Sequence, residues 1–247
     1  MEKKESILLK DAGIGYNGAV GKLQLMSNIH LAFYPNDFVG IVGLNGVGKS
    51  TFLKSICGLL PLLNGELFLN GKQITQLTLP EIAKKIAVVL TEKIGGFNLT
   101  VFDAVASGQI PYTNSFHHLK EEHIAIIASA IERSGLKKYQ SKLLHELSDG
   151  LFQKTMIAKA LAQQTPALLL DEPTAFLDYG SKHELFLFLK KLSEEENKCV
   201  LVSSHDLDLV LKYCTKLLVI SENKLELIPA SEANKNTSFV TIGKGFI

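Results

Sequence analysis

Apolar positions along this chain follow two rhythms. From residue 6 to 42 they alternate or form short apolar runs (SILLKDAGIGY, IHLAF, DFVGIVG), the pattern of strands. Glycines from Gly43 to Gly48 break it, and Lys49 to Leu60 has helical spacing. In GELFLNGKQI, Asn70-Gly71 separates two strand-like runs and predicts a type I′ hairpin. Thr78-Leu79-Pro80-Glu81 opens a short helix with a capping box and an early proline. IAVVL (86–90) reads as a short buried strand. From about Glu92 to Lys159 strand runs vanish and helical segments follow one another. Strands then return as ALLLD (167–171), CVLVSS (199–204) and KLLVI (216–220), with helices between them. Ser181-Lys182-His183-Glu184 reads as another capping box, with Leu185, Phe188, Leu189 and Leu192 facing inward behind it.

Strand–helix alternation on both sides of a helical stretch predicts an α/β fold with a mostly parallel sheet. We expect a single domain over 1–247. Its core, with an N-terminal antiparallel β subdomain, comes from 1–91 and 159–230. The helical subdomain is an insert over 92–158, and 231–247 is a short tail.

With 46% apolar residues in 247, the chain can fill a large core. A net charge of +1 gives no basic excess, so no nucleic-acid partner is expected. MEKKES lacks an apolar segment, predicting no signal peptide, and no apolar run approaches the roughly 18 residues of a membrane span. Cys57, Cys199 and Cys214 are scattered without a CxxC and read as core residues in a reducing, cytoplasmic compartment. His117, His118 and His123 lie in a polar helical part and read as solvated surface.

Two stretches carry chemistry. GLNGVGKS (43–50) fits G-x-x-x-x-G-K-[ST], follows a strand and opens a helix, the context of a P-loop. Its backbone N–H groups can turn around phosphate oxygens beside a helix N-terminus. Lys49 is expected to reach the β- and γ-phosphates and Ser50 to hold Mg²⁺. LLLDEPT (168–174) is a buried strand ending in two acids at the carboxyl edge of the sheet. Asp171 is expected to reach Mg²⁺ through water, and Glu172 to orient or deprotonate the attacking water.

In order, Tyr16, GLNGVGKST, LSDG, LLLDEPTAFLD and SSHD together resemble the ATPase subunit of ABC transporters over about residues 6–228. The resemblance implies that ATP lies against Gly43, Asn45, Gly46, Gly48, Lys49, Ser50 and Thr51, with Tyr16 stacked on adenine. It implies that His205 contacts the γ-phosphate. Asp178 belongs to a loop crossing between two subunits, though it also suits a helix cap. By the same resemblance, Ser148 and Gly150 of LSDG are expected to meet the γ-phosphate held by the other subunit, which calls for a second ATPase subunit, most simply a second copy. The resemblance further implies an integral-membrane permease as partner, serving an extracytoplasmic substrate-binding protein and holding this chain at the cytoplasmic face of the cell membrane. The insert, with Phe97 and Phe102, is expected to dock that permease. A P-loop metabolite kinase is excluded by LSDG, the acid pair and SSHD together.

The sequence departs from the family at two points. The position after LSDG is usually Gln or Glu, the returning arm of a capping box, and here it is Leu151. Leu151 and Phe152 leave that cap half made, or else pack against the insert or permease. The family's Mg²⁺-binding glutamine aligns best with Thr91, with Glu92 next. VFDAVASGQIPY (101–112) is similar to the importers of iron–siderophore complexes, haem or cobalamin, with Gln109 where arginine is usual. Outside that subgroup stand a soluble ABC ATPase, as in iron–sulfur assembly, and a nucleotide-dependent binding module with little turnover.

Overall fold

The computed structural model describes residues 4–18, 21–90, 98–113, 118–221 and 224–244, without the side chain of Lys244. Ten strands run in order: β1 (Ile7–Gly18), β2 (Gly21–Phe33), β3 (Phe38–Val42), β4 (Asn64–Leu69), β5 (Lys72–Gln73), β6 (Ile86–Val89), β7 (Ala167–Leu170), β8 (Cys199–Ser203), β9 (Lys216–Ser221) and β10 (Lys224–Pro229). The helices are α1 (Lys49–Ile56), α2 (Leu79–Ala83), α3 (Val101–Ala106), α4 (Glu121–Arg133), α5 (Asp149–Ala162), α6 (Tyr179–Glu196), α7 (Leu207–Tyr213) and α8 (Thr237–Lys244).

The strands form two sheets. One is antiparallel, ordered β2-β1-β4-β5, and the other is ordered β10-β9-β3-β8-β7-β6. In the second, β6, β7, β8, β3 and β9 are parallel neighbours, and β10 adds an antiparallel edge. The expected α/β architecture with its antiparallel β part is therefore present. Asn70 (φ 51°) and Gly71 (φ 73°) make the tight turn between β4 and β5, both left-handed as a type I′ turn demands.

The central strands are apolar on both faces because both faces are covered. Phe38 and Val42 of β3 join a core under the helices, with Phe186, Leu189, Val101, Ile127 and Ile157. Val39 and Ile41 point the other way, into a core shared with Ile7, Phe33 and Phe52 between the sheets. Strand β7 splits likewise, Leu168 and Leu170 on one side and Ala167 and Leu169 on the other. All three cysteines are free and buried, as their scatter suggested. Burial pushes each thiol pKa upward. No helix among the described residues is long and apolar enough to cross a membrane.

Four local expectations are corrected. Helix α6 begins before the supposed capping box: Asp178 is its N-cap, its Oδ1 accepting from the Ser181 N–H at 2.9 Å. Phe186 is the fully buried aromatic of that helix, while Phe188 is half-buried under the Arg133 guanidinium. His123 is buried rather than solvated, its Nδ1 accepting from the Lys120 N–H at 3.2 Å at the start of α4. Helix α1 ends at Ile56, and Leu59 beyond it is exposed. His118 is exposed as expected, and His117 lies outside the described residues.

Candidate functional site

The loop from β3 to α1 carries Gly46 (φ 78°) and Gly48 (φ 107°), left-handed positions that only glycine takes without strain. The loop thus coils back on itself, and the Lys49 ammonium donates to the carbonyls of Gly43 (2.9 Å) and Leu44 (3.2 Å). Lys49 is buried, and desolvation lowers its pKa against the opposing pull of Glu172 and Asp171. Ser50 is exposed in the first turn of α1, as are Asn45 and Gly46 in the loop. The Tyr16 hydroxyl lies 2.8 Å from Thr51 Oγ1, tying β1 to α1 while the half-exposed ring stays open to solvent.

Asp171 and Glu172 leave the end of β7 beside β8, and the DEPT and SSHD stretches are stitched together there. The Ser203 hydroxyl donates to Asp171 Oδ1 (2.7 Å) and accepts from the Glu172 N–H (2.9 Å). His205 Nε2 lies 3.0 Å from Glu172 Oε1. Thr174 Oγ1 donates to Asp206 Oδ2 (3.1 Å), which also receives the Lys182 ammonium (3.0 Å). Burial raises the Glu172 pKa to about 7; Lys49 pulls it down and Asp171 pushes it up. Burial, then Lys49, lowers the His205 pKa. The same loss of water drives both side chains toward neutrality, so their close approach is not a full ion pair.

The LSDG turn has different neighbours. Ser148 is the N-cap of α5, its Oγ accepting a long bond from the Leu151 N–H at 3.4 Å. A Cβ on Gly150 would make only ordinary contacts, 3.4 Å to Leu177 Cδ2 and 3.6 Å to the Phe176 carbonyl. Among the described residues, nothing crowded demands glycine there. Leu151 is half-buried against the helical core, whereas Phe152 is half-buried outside either core. Leu151 thus contributes apolar contact to the core under the helices, which Phe152 does not join. Gln109 is buried and donates to the Ala162 carbonyl at the end of α5. Asp178 is occupied as a cap by both the N–H and the hydroxyl of Ser181. Thr91 and Phe97 lie outside the described residues, and Phe102 is half-buried. Sequence reasoning missed Ser203 and Thr174 as parts of this site. The available signal was that ALLLD and CVLVSS, paired in parallel, bring residue 203 beside residue 171.

This arrangement gives Leu151→Gln a definite sign. Gln could return a hydrogen bond to the cap, a fraction of the roughly 0.5–2 kcal/mol that a cap is worth. It would lose about half the roughly 1.5–3 kcal/mol of a buried leucine. We expect thermal unfolding of the nucleotide-free variant to shift down by about 1–3 °C; an upward shift would mean that the cap dominates.

An α/β cassette with a P-loop, an acid pair and a histidine joined at one sheet edge is the arrangement of an ABC ATPase. Residues 26–175 match the family described as ABC transporter. An uncharacterized ABC transporter ATP-binding protein of Methanocaldococcus jannaschii is 40% identical over 87% of this chain and 73% of its own length. The iron(3+)-hydroxamate import ATP-binding protein of Bacillus subtilis is 31% identical over 88% of this chain and 79% of its own. The cobalamin import ATP-binding protein of Halobacterium salinarum is 32% identical over 82% of this chain, which spans only 50% of that relative. A bacterial ABC transporter cassette solved as a dimer superposes with a TM-score of 0.81 at 26% identity, covering 91% of this chain and 98% of that one. The chain belongs to the ABC transporter family, as an ATP-binding cassette.

Proposed function

We infer that this chain is the ATP-hydrolysing subunit of an importer for an iron chelate, haem or cobalamin-type substrate. The observation that carries the enzymatic part is the Lys49–Glu172–His205 cluster beside the left-handed loop. Lys49, withdrawn onto its own loop carbonyls, is a pre-placed cation for the β- and γ-phosphates. Ser50 and Asp171 offer oxygen donors only, a set that suits Mg²⁺, and the bound ion would neutralise phosphate charge. Glu172, with a pKa near 7, can take a proton from water at neutral pH, and His205 holds that carboxyl in place. Tyr16 offers its ring to adenine.

Ser148, Gly150 and Asp178 serve a second copy. Among the described residues Gly150 has no steric reason, so its openness fits the close approach of a phosphate brought by a partner. The helical insert docks a membrane permease, which places the chain at the cytoplasmic face of the membrane and links it indirectly to an extracytoplasmic binding protein. The names of the iron(3+)-hydroxamate and cobalamin relatives support the cargo class. The test is phosphate release from MgATP by the purified chain, together with co-purification from its native cells. Turnover and a co-purified polytopic permease are expected. Tight ATP binding without turnover would make the chain a binding module. Turnover with soluble assembly partners in place of a permease would remove the transport reading.

A further inference from the structure

Strand β8 is apolar until its last residue, Ser203, which is fully buried. Leu170 of β7 pairs with Val202 of β8, so Ser203 emerges where Asp171 and Glu172 leave the sheet. Its hydroxyl uses its one proton on Asp171 Oδ1 at 2.7 Å and a lone pair on the Glu172 N–H at 2.9 Å. Glu172 needs such support, because its φ of 46° is a conformation that a side-chain-bearing residue keeps only when its surroundings hold it. Ser204, the next residue, is also fully buried, but its hydroxyl accepts from the Asp206 N–H at 3.1 Å within its own turn.

We propose that Ser203 is a positioning residue of the hydrolytic site, its single hydroxyl orienting the Asp171 carboxylate for the divalent cation and pinning the backbone that aims Glu172 at His205. The inference rests on the MgATP reading of the site given above. It assigns one function to two bonds: the cation ligand and the general base are set by the same side chain, so they are placed together or lost together. Apolar packing of β8 alone would be served by valine, as at Val200 and Val202.

The test compares Ser203→Ala with Ser203→Thr, which keeps the hydroxyl and suits a strand. Removing a buried bond to a charged group should lower turnover at saturating MgATP by roughly tenfold or more in Ser203→Ala. Mn²⁺, used as the probe cation with a non-hydrolysable ATP analogue and followed by electron paramagnetic resonance, should bind at least about fivefold more weakly to that variant. ATP affinity in chelator, without divalent cation, should stay within about twofold, because the P-loop is untouched. Ser203→Thr should recover both losses to within about threefold. Thermal unfolding of each variant is recorded alongside, and should Ser203→Ala fail to fold, Ser203→Val replaces it under the same criteria. Unchanged Mn²⁺ affinity and turnover in the hydroxyl-free variant would overturn the proposal. So would equal impairment of the threonine and alanine variants, or an equal loss of cation-free ATP binding. Absence of cation-dependent nucleotide binding by the wild-type protein would instead overturn the reading of the site itself.

Discussion

Glu172→Gln is expected to abolish steady-state ATP hydrolysis, by roughly a hundredfold to ten-thousandfold, the range of a lost general base. The amide has nearly the size of the carboxyl and can keep its close approach to His205, so the geometry of the acid pair survives. ATP should therefore bind and remain bound. Since LSDG is proposed to close on nucleotide held by a second copy, the variant should accumulate as an ATP-bound dimer that size measurement detects and that disperses with ADP. Retained turnover would remove Glu172 as the base; a strictly monomeric ATP-bound variant would count against the paired arrangement.

The same substitution has a pH signature in the nucleotide-free protein. A carboxyl whose folded pKa is raised stabilises the fold fully below its unfolded pKa and loses that contribution as pH rises through the folded value, here from about 4.5 to about 7. Gln does not titrate, so the advantage of the variant should grow from pH 5 to pH 8. After allowance for solvent at the partly exposed carboxyl, we expect roughly 2 kcal/mol at the alkaline end, or about 4–8 °C in Tm. His205, with its pKa lowered, contributes in the opposite sense, losing stability as pH falls. A stability difference flat across that window would show that Glu172 is not desolvated.

Lys49→Ala is the second large effect. The ammonium is already buried and aimed inward by the Gly43 and Leu44 carbonyls, so binding ATP exchanges neutral acceptors for phosphate charge. Charge-assisted bonds are worth about 1.5–3 kcal/mol each, and two of them correspond to roughly a hundredfold to ten-thousandfold in Kd. Nucleotide binding by titration calorimetry should fall below detection while the fold persists. Removing the cation also removes the charge that holds the Glu172 pKa down, so that carboxyl should titrate at higher pH than in the wild type. ATP affinity within a few-fold of wild type would refute the phosphate site.

The parts of this site that were readable in the sequence are those made by neighbours in the chain. Gly46 and Gly48 announce a left-handed loop, Asn70-Gly71 its turn, and Ser148 its cap, because each requirement is local. The start of α6 was misread because two residues with capping chemistry, Asp178 and Ser181, stand three apart; the structure joins them by making one the cap of the other. Ser203 could not be ranked above Ser204 from SSHD alone. Their roles separate only when β7 lies beside β8, a contact across more than thirty positions. His123 shows the same limit in the other direction: a histidine in a polar stretch was buried by the helix it begins.

The burial of all three cysteines has a practical consequence. Cys57, Cys199 and Cys214 are protonated and shielded, so thiol reagents should leave the native chain largely unlabelled. A single reporter thiol at the half-exposed Phe176, next to Gly150 and the Asp178 cap, could then carry a spin label or fluorophore without rebuilding the interior. This cassette is in effect its own cysteine-free background for following, in real time, the approach and separation of whatever meets the LSDG face.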